Sequence, residues 1–91
     1  MAAVGKRSSV AQRVRLQAVL RDLRQEKGVT QTELALRLSR PQSFVSKYET
    51  GERRLDVLEL REVCGALGVS FVSFARLLEK RLENLPRSVR K

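Results

Sequence analysis

Apolar residues recur along this chain at the three- and four-residue spacing that is typical of amphipathic helices. The first such stripe has the positions i, i+3, i+4 and i+7 and consists of Leu16, Val19, Leu20 and Leu23. Ser9 followed by Gln12 predicts a capping box at the start of this helix, and Gly28 predicts its end. The pattern therefore predicts a first helix that buries one face.

Two short helices are predicted next. Thr30 and Glu33 have the spacing of a second capping box, and the helix that they start ends near Ser39. Pro41 fits a helix start, and a third helix is predicted from about Gln42 to Thr50. The inward positions of the two helices are Leu34, Ala35, Leu38, Val45 and Tyr48.

The pattern then predicts a fourth and a fifth helix. Asp56 and Ser70 are suitable N-caps, while Gly68 and Pro86 are suitable ends. The apolar positions of the fourth helix are Leu58, Val63, Cys64 and Leu67. Those of the fifth helix are Phe71, Phe74, Leu78, Leu82 and Leu85. Since no strand pattern competes, the sequence predicts an all-α, compact five-helix bundle.

The predicted domain spans residues 9–85, with a helix-turn-helix at about residues 30–50. Residues 1–8 and 86–91 are rich in basic side chains and are expected to form flexible basic tails at the two ends. This organisation places the most cationic segments on either side of a helical domain whose middle is close to neutral.

Charge and residue usage narrow the possible functions. The 91 residues include 19 basic and 10 acidic side chains, a net charge of +9 that favours a polyanionic partner such as nucleic acid or an acidic membrane face. There is no histidine and Cys64 is the single cysteine, so we expect no catalytic histidine, disulfide or Cys/His metal site. We therefore expect a cytoplasmic, nucleoid-associated binding protein that is not an enzyme and uses no metal or cofactor. No apolar run is long enough for a bilayer span.

Four segments carry a resemblance to a known family. They are Leu23-Arg24, Lys27–Leu38, Pro41–Gly51 and Ala66–Val69. Together they make the stretch from about Leu20 to Leu78 similar to the Xre/phage-repressor (Cro/repressor-type) helix-turn-helix family. The resemblance implies a five-helix DNA-binding domain whose third helix enters the major groove. Because many members have glycine where Ser39 stands, it also implies a left-handed conformation for Ser39.

The resemblance also implies which residues meet DNA. The base-reading positions are Gln42, Ser43, Ser46 and Lys47, which the helical pattern also places opposite the inward residues of the third helix. The predicted phosphate contacts are Gln31, Arg24, Arg40, Thr50, Arg53 and Arg54. For Phe44, the pattern leaves open whether the ring is partly buried beside Tyr48 or touches a base or the DNA backbone.

Two further contacts are expected within and between protein chains. The family pairs an arginine late in the first helix with a glutamate near the end of the third, and Arg24 and Glu49 occupy these positions. The apolar stripe of the fifth helix continues past the reach of the core, which predicts a homodimer interface. The residues of this interface are Phe74, Leu78, Leu82 and Leu85. The alternative is that the fifth helix bends back and that Leu82 and Leu85 complete the core of their own chain.

The leading interpretation is a sequence-specific, double-stranded-DNA-binding transcriptional regulator, a repressor that acts as a dimer at a palindromic operator. An alternative is the antitoxin of a toxin–antitoxin pair, which binds a protein toxin and regulates its own synthesis through DNA. A membrane-surface role is disfavoured because the core needs the apolar face of the first helix. No small-molecule substrate is expected, because the chain leaves no room for a separate ligand-binding domain.

Overall fold

The computed structural model describes residues 5–85, and within them it contains five α-helices and no strand. The helices are α1 (Gly5–Glu26), α2 (Gln31–Leu38), α3 (Gln42–Thr50), α4 (Val57–Ala66) and α5 (Phe71–Glu83). The predicted all-α bundle of five helices is confirmed. The predicted C-terminal tail, 86–91, lies outside the described residues, as do residues 1–4.

One predicted boundary is wrong. The first helix begins at Gly5, so Ser9 is an interior helical residue instead of the N-cap of a capping box with Gln12. Residues 5–8, which the sequence assigned to a tail, are therefore part of α1. Propensity explains the difference, since the segment from Lys6 to Gln12 contains no proline and no glycine that would oppose helix formation.

Side-chain caps fix the starts of three of the other helices. The Thr30 hydroxyl accepts a hydrogen bond from the backbone N–H of Glu33, whose carboxylate accepts from the N–H of Thr30. Asp56 and Glu59 form the same reciprocal box at the start of α4. The Ser70 hydroxyl caps α5. Each box satisfies N–H groups that the first helical turn leaves free.

The core lies where α1 packs against α3 and α5, and α2 packs against α3 and α4. Its fully buried side chains include Val19, Leu34, Val45, Val63, Cys64 and Phe74. The predicted inward position Leu58 is wrong, because this side chain is 69% exposed on the first turn of α4. Leu60, two residues later, packs against the core in its place.

The predicted dimer interface also needs correction. Phe74 is 1% exposed and belongs to the core of its own chain, so it is not available to a second copy. Leu78 is partly buried and packs against the same core. Leu82 and Leu85 are partly buried near the end of α5, and only these two of the four residues still fit the prediction. Within residues 5–85, no helix combines the length and the apolar character of a membrane span.

Candidate nucleic-acid interface

The turn between α2 and α3 sets the position of the α3 N-terminus. Ser39 has φ 56° and ψ 42°, the left-handed conformation expected for it from the sequence. Its N–H and that of Arg40 donate to the carbonyls of Leu36 and Ala35, which closes the end of α2. Pro41 is extended and gives α3 no side-chain cap. The chain thus turns sharply enough to bring the short helices α2 and α3 together.

The exposed face of α3 carries the predicted base-reading residues. Gln42, Ser43 and Lys47 are exposed and Ser46 is partly buried. The opposite face carries Val45 and Tyr48, both buried in the core. The structure therefore places all four predicted residues on the side of α3 that the core does not use. Ser46 is tied to its own helix, because its hydroxyl donates to the carbonyl oxygen of Ser43 at 3.3 Å.

Arg24 and Glu49 form a buried ion pair beneath this face. The Nε and Nη2 atoms of Arg24 donate to the two carboxylate oxygens of Glu49 at 2.7 and 3.0 Å. The Nη1 atom donates to the carbonyl of Val29 at 2.9 Å. These bonds raise the pKa of Arg24 above its ordinary value, because the carboxylate stabilises the charged form. All three nitrogens of Arg24 point into the protein, which argues against the phosphate contact predicted for it.

The ion pair continues outward as a chain of hydrogen bonds. Gln31 donates from Nε2 to Oε1 of Glu49 at 2.9 Å. Gln42 donates from Nε2 to Oε1 of Gln31 at 2.7 Å. The exposed end of the chain is therefore a predicted base-reading side chain, and its buried end is Arg24. Side chains held in this way lose little rotamer freedom on binding a partner.

Phe44 is buried, which agrees with packing beside Tyr48, one of the two alternatives that the sequence leaves open. The two rings meet edge to face, with centroids 5.6 Å apart. The guanidinium carbons of Arg40 and Arg53 lie 4.4 and 4.7 Å from the Phe44 ring centroid. Phe44 therefore acts as a support for two cations.

Glu59 is a functional residue that the sequence analysis did not identify. Its two oxygens accept from Nη1 and Nη2 of Arg53 at 3.0 and 2.9 Å, and Arg40 lies 3.7 Å away. Hydrogen bonds from Arg53, and then from the backbone N–H of Asp56, lower the pKa of Glu59 to about 2. The Asp56-x-x-Glu59 spacing is a capping-box signal that could have identified this carboxylate.

The remaining predicted phosphate contacts lie around the ends of α3. Thr50 is exposed at its C-terminus and donates from its hydroxyl to the carbonyl of Lys47 at 3.2 Å. Arg54 is exposed in the segment that follows, and Gln31 is partly buried at the start of α2. Together with Arg40 and Arg53, these three side chains make up the predicted phosphate contacts other than Arg24. The described part of the chain has no group of three acidic or cysteine side chains that could share a metal ion.

Comparison with known proteins finds similarity to helix-turn-helix proteins. The helix-turn-helix family HTH_3 matches residues 20–74. The uncharacterized HTH-type transcriptional regulator y4dJ of Sinorhizobium fredii is 46% identical over 50 residues. These span 55% of this chain and 65% of that protein, less than two thirds of its length.

Solved structures of two other proteins superpose on most of this chain. An XRE-family-like protein from Pseudomonas syringae pv. tomato superposes with a TM-score of 0.75 and 44% identity, over 79% of this chain and 88% of its own. The wild-type restriction–modification controller protein C.Esp1396I superposes with a TM-score of 0.76 and 28% identity, over 81% of this chain and 96% of its own. Both match the five-helix arrangement described above.

Proposed function

Because this chain belongs to the Xre-type helix-turn-helix family of DNA-binding transcriptional regulators, we propose that it represses transcription by reading a specific operator through α3. Members of the family act by binding DNA and not by catalysis, in agreement with the prediction of a non-enzymatic protein. The observation that carries the proposal is the exposed face of α3, where Gln42 is held in place by the chain that begins at Glu49.

The residue types on this face suit direct readout of bases in the major groove. A glutamine such as Gln42 can form two hydrogen bonds with adenine, and a lysine such as Lys47 can donate to N7 and O6 of guanine. Ser43 and Ser46 offer small hydroxyls that accept several bases. In this proposal, Gln42 and Lys47 carry most of the sequence preference, and the two serines allow close approach of the helix.

The phosphate contacts fall to the residues around α3. Arg40 and Arg53 present guanidinium groups held by Phe44 and Glu59, while Arg54, Thr50 and Gln31 extend the polar surface on either side. The first turn of α3 has no side-chain cap, so its free N–H groups are available to a phosphate oxygen. These contacts position the protein on any duplex and contribute no sequence preference by themselves.

A dimer is part of the proposal. One recognition helix reads only a few base pairs, and two copies related by a two-fold axis would place their α3 helices about 34 Å apart, one turn of DNA. Leu82 and Leu85, partly buried near the end of α5, are the residues proposed for the contact. Such a pair of copies would bind a palindromic operator.

The proposal is tested by selecting bound sites from random duplex DNA and then measuring variants on the selected site and on a scrambled one. Lys47→Ala and Gln42→Ala are expected to lose about 1–3 kcal/mol on the selected site and little on the scrambled duplex. Arg54→Ala is expected to weaken both duplexes equally and to reduce the salt dependence of binding.

Arg76→Ala is the matched control, because Arg76 is an exposed arginine on α5, a helix that packs mainly against α1 and α4. It removes one positive charge without touching the proposed interface, so it should change binding less than Arg54→Ala. Failure of the selection to return any motif, or equal losses on both duplexes for the α3 variants, would contradict the proposal.

A further inference from the structure

A cleft of about 360 Å³ lies between the first half of α1 and the segment that follows α3. Its apolar wall is formed by Val10, Val14, Leu16, Leu20 and Leu55. Val10 and Val14 are 59% and 56% exposed, one helical turn apart on the same face of α1. The volume is at the lower end of the range of about 300–1,000 Å³ in which proteins bind small molecules. The helical pattern of the sequence did not predict this cleft.

Tyr48 forms part of the cleft wall and carries an unsatisfied polar atom. The residue is 3% exposed, and its hydroxyl has no hydrogen-bond partner among the described residues. Buried hydroxyls nearly always have a partner, because water that is lost on folding has to be replaced. An oxygen atom of a bound ligand can supply the missing partner once the side chains around this hydroxyl, which has less than 1 Å² of accessible surface, move aside.

The polar part of the cleft is cationic. Arg13, Arg53 and Arg54 contribute to its lining, and none of its residues is acidic. Arg53 is engaged by Glu59, whereas Arg13 and Arg54 are exposed and form no ion pair within the described part of the chain. Two uncompensated guanidinium groups beside an apolar wall favour a ligand with one anionic group and an apolar body.

We propose that this cleft binds a small amphipathic carboxylate. The apolar body lies against Val14 and Leu20, and the carboxylate accepts a hydrogen bond from the Tyr48 hydroxyl and lies beside Arg13 and Arg54. This assigns a ligand to a surface where the sequence predicted none. A neutral ligand would leave the arginines unused, and an anion without an apolar body would leave the valines exposed.

The site has a consequence for DNA binding that rests on the proposed function. Arg54 lines the cleft and is also a proposed phosphate contact, so a bound carboxylate competes with a phosphate for the same guanidinium. Because binding linkage is reciprocal, DNA and carboxylate are expected to weaken each other's affinity.

Octanoate is a suitable probe, with octan-1-ol and acetate as ligands that lack the charge or the apolar body. Chemical shifts of the backbone amides, followed by NMR on the full chain without DNA, are expected to show saturable octanoate binding. The affected amides should be those of α1 and residues 51–55. Both control ligands are expected to bind at least tenfold more weakly. Equal binding of octan-1-ol, or shifts that never saturate, would overturn the proposal, because octanoate would then bind without using its carboxylate or without a defined site.

Two variants locate the site. Tyr48→Phe keeps the ring and removes the hydroxyl, and it is expected to weaken octanoate binding about tenfold. Val14→Trp fills the cleft and is expected to abolish binding, whereas Val72→Trp, at a valine 60% exposed on α5, should not change it. Equal effects of the two tryptophan variants would overturn the site. So would a change in oligomeric state caused only by Val14→Trp, since it would show that a second copy covers the cleft.

The effect on DNA is measured separately. Saturating octanoate is expected to weaken binding of the selected operator by wild type and not by Val14→Trp. If no operator is found, the proposed function fails while octanoate binding to the free chain remains measurable. If octanoate binds but leaves operator affinity unchanged, the competition for Arg54 is contradicted.

Discussion

Two bidentate arginine–glutamate pairs, one between α1 and α3 and the other between the segment after α3 and α4, share a chemistry and differ in burial. In the first, the side chains of Arg24 and Glu49 are 9% and 3% exposed; in the second, those of Arg53 and Glu59 are 38% and 17% exposed. Their shortest N–O distances, 2.7 and 2.9 Å, are similar. The difference in burial therefore decides what each pair contributes.

The buried pair fixes α3 to α1, because neither charge can be left alone in the core without a large desolvation cost. The exposed pair keeps its charges near water, where their attraction is weak and screened by salt. Its contribution is to hold the segment after α3, since Glu59 also caps α4 and Arg53 also covers Phe44. Ion pairs of similar geometry therefore have different roles: the buried pair anchors α3 to α1, and the more exposed pair positions the segment after α3.

Breaking the buried pair is expected to have the largest effect. Glu49→Gln leaves the Arg24 charge buried without a counter-charge and should lower the free energy of unfolding by about 3–5 kcal/mol. Urea denaturation followed by circular dichroism measures the loss. The double variant Arg24→Met/Glu49→Leu removes both charges and is expected to recover most of it. A double variant no more stable than Glu49→Gln would show that the two charges are not coupled.

Removing Glu59 is expected to cost less. Glu59→Ala loses both the capping box of α4 and the Arg53 partner, so we expect a loss of about 1 kcal/mol in the free energy of unfolding. Glu33→Ala is the matched control, because Glu33 has the same capping role in α2 and no ion pair within the described residues. The difference between the two variants measures the Arg53 contact. Identical losses would show that this contact adds no stability.

The smallest effect is expected from acid. The pKa of Glu59 is lowered to about 2 from an ordinary value of 4.5, so the stability that its charge contributes is present above pH 4.5. It is lost as the pH falls from 4.5 towards 2. Carboxyl carbon shifts in an NMR titration report this pKa directly. Arg53→Gln is expected to raise it towards the ordinary value, and an unchanged pKa in that variant would rule out Arg53 as the main cause.

Most of the fold could be predicted because the sequence patterns that indicate it involve residues close together in the chain. Thr30 and Glu33 are three residues apart, and the structure confirms their capping box. The left-handed Ser39 agrees with what the family resemblance implies for the turn after α2. The outward face of α3 follows from the inward positions Val45 and Tyr48 on the same helix. Each conclusion needs no knowledge of what lies across the core.

The features that were missed depend on packing between distant segments. The burial of Phe44 depends on where Arg40 and the segment after α3 come to lie, and spacing along α3 does not contain that information. Phe74 is predicted for a dimer contact, yet contacts between α5 and the helices α1 and α4 place it in the core. The cleft beside Tyr48 likewise arises only where α1 meets the end of α3.

The hydrogen-bond chain from Arg24 to Gln42 has a direction. Glu49 can only accept, so the amide of Gln31 must turn its nitrogen towards the carboxylate and its oxygen towards Gln42. Gln42 in turn gives its nitrogen to that oxygen, which leaves its own oxygen and one remaining N–H for a partner outside. One buried negative charge thus selects, through two amides, which end of a surface glutamine presents the acceptor. A neutral side chain at position 49 would make both orientations equivalent, and the surface would then offer two hydrogen-bond patterns where the wild type offers one.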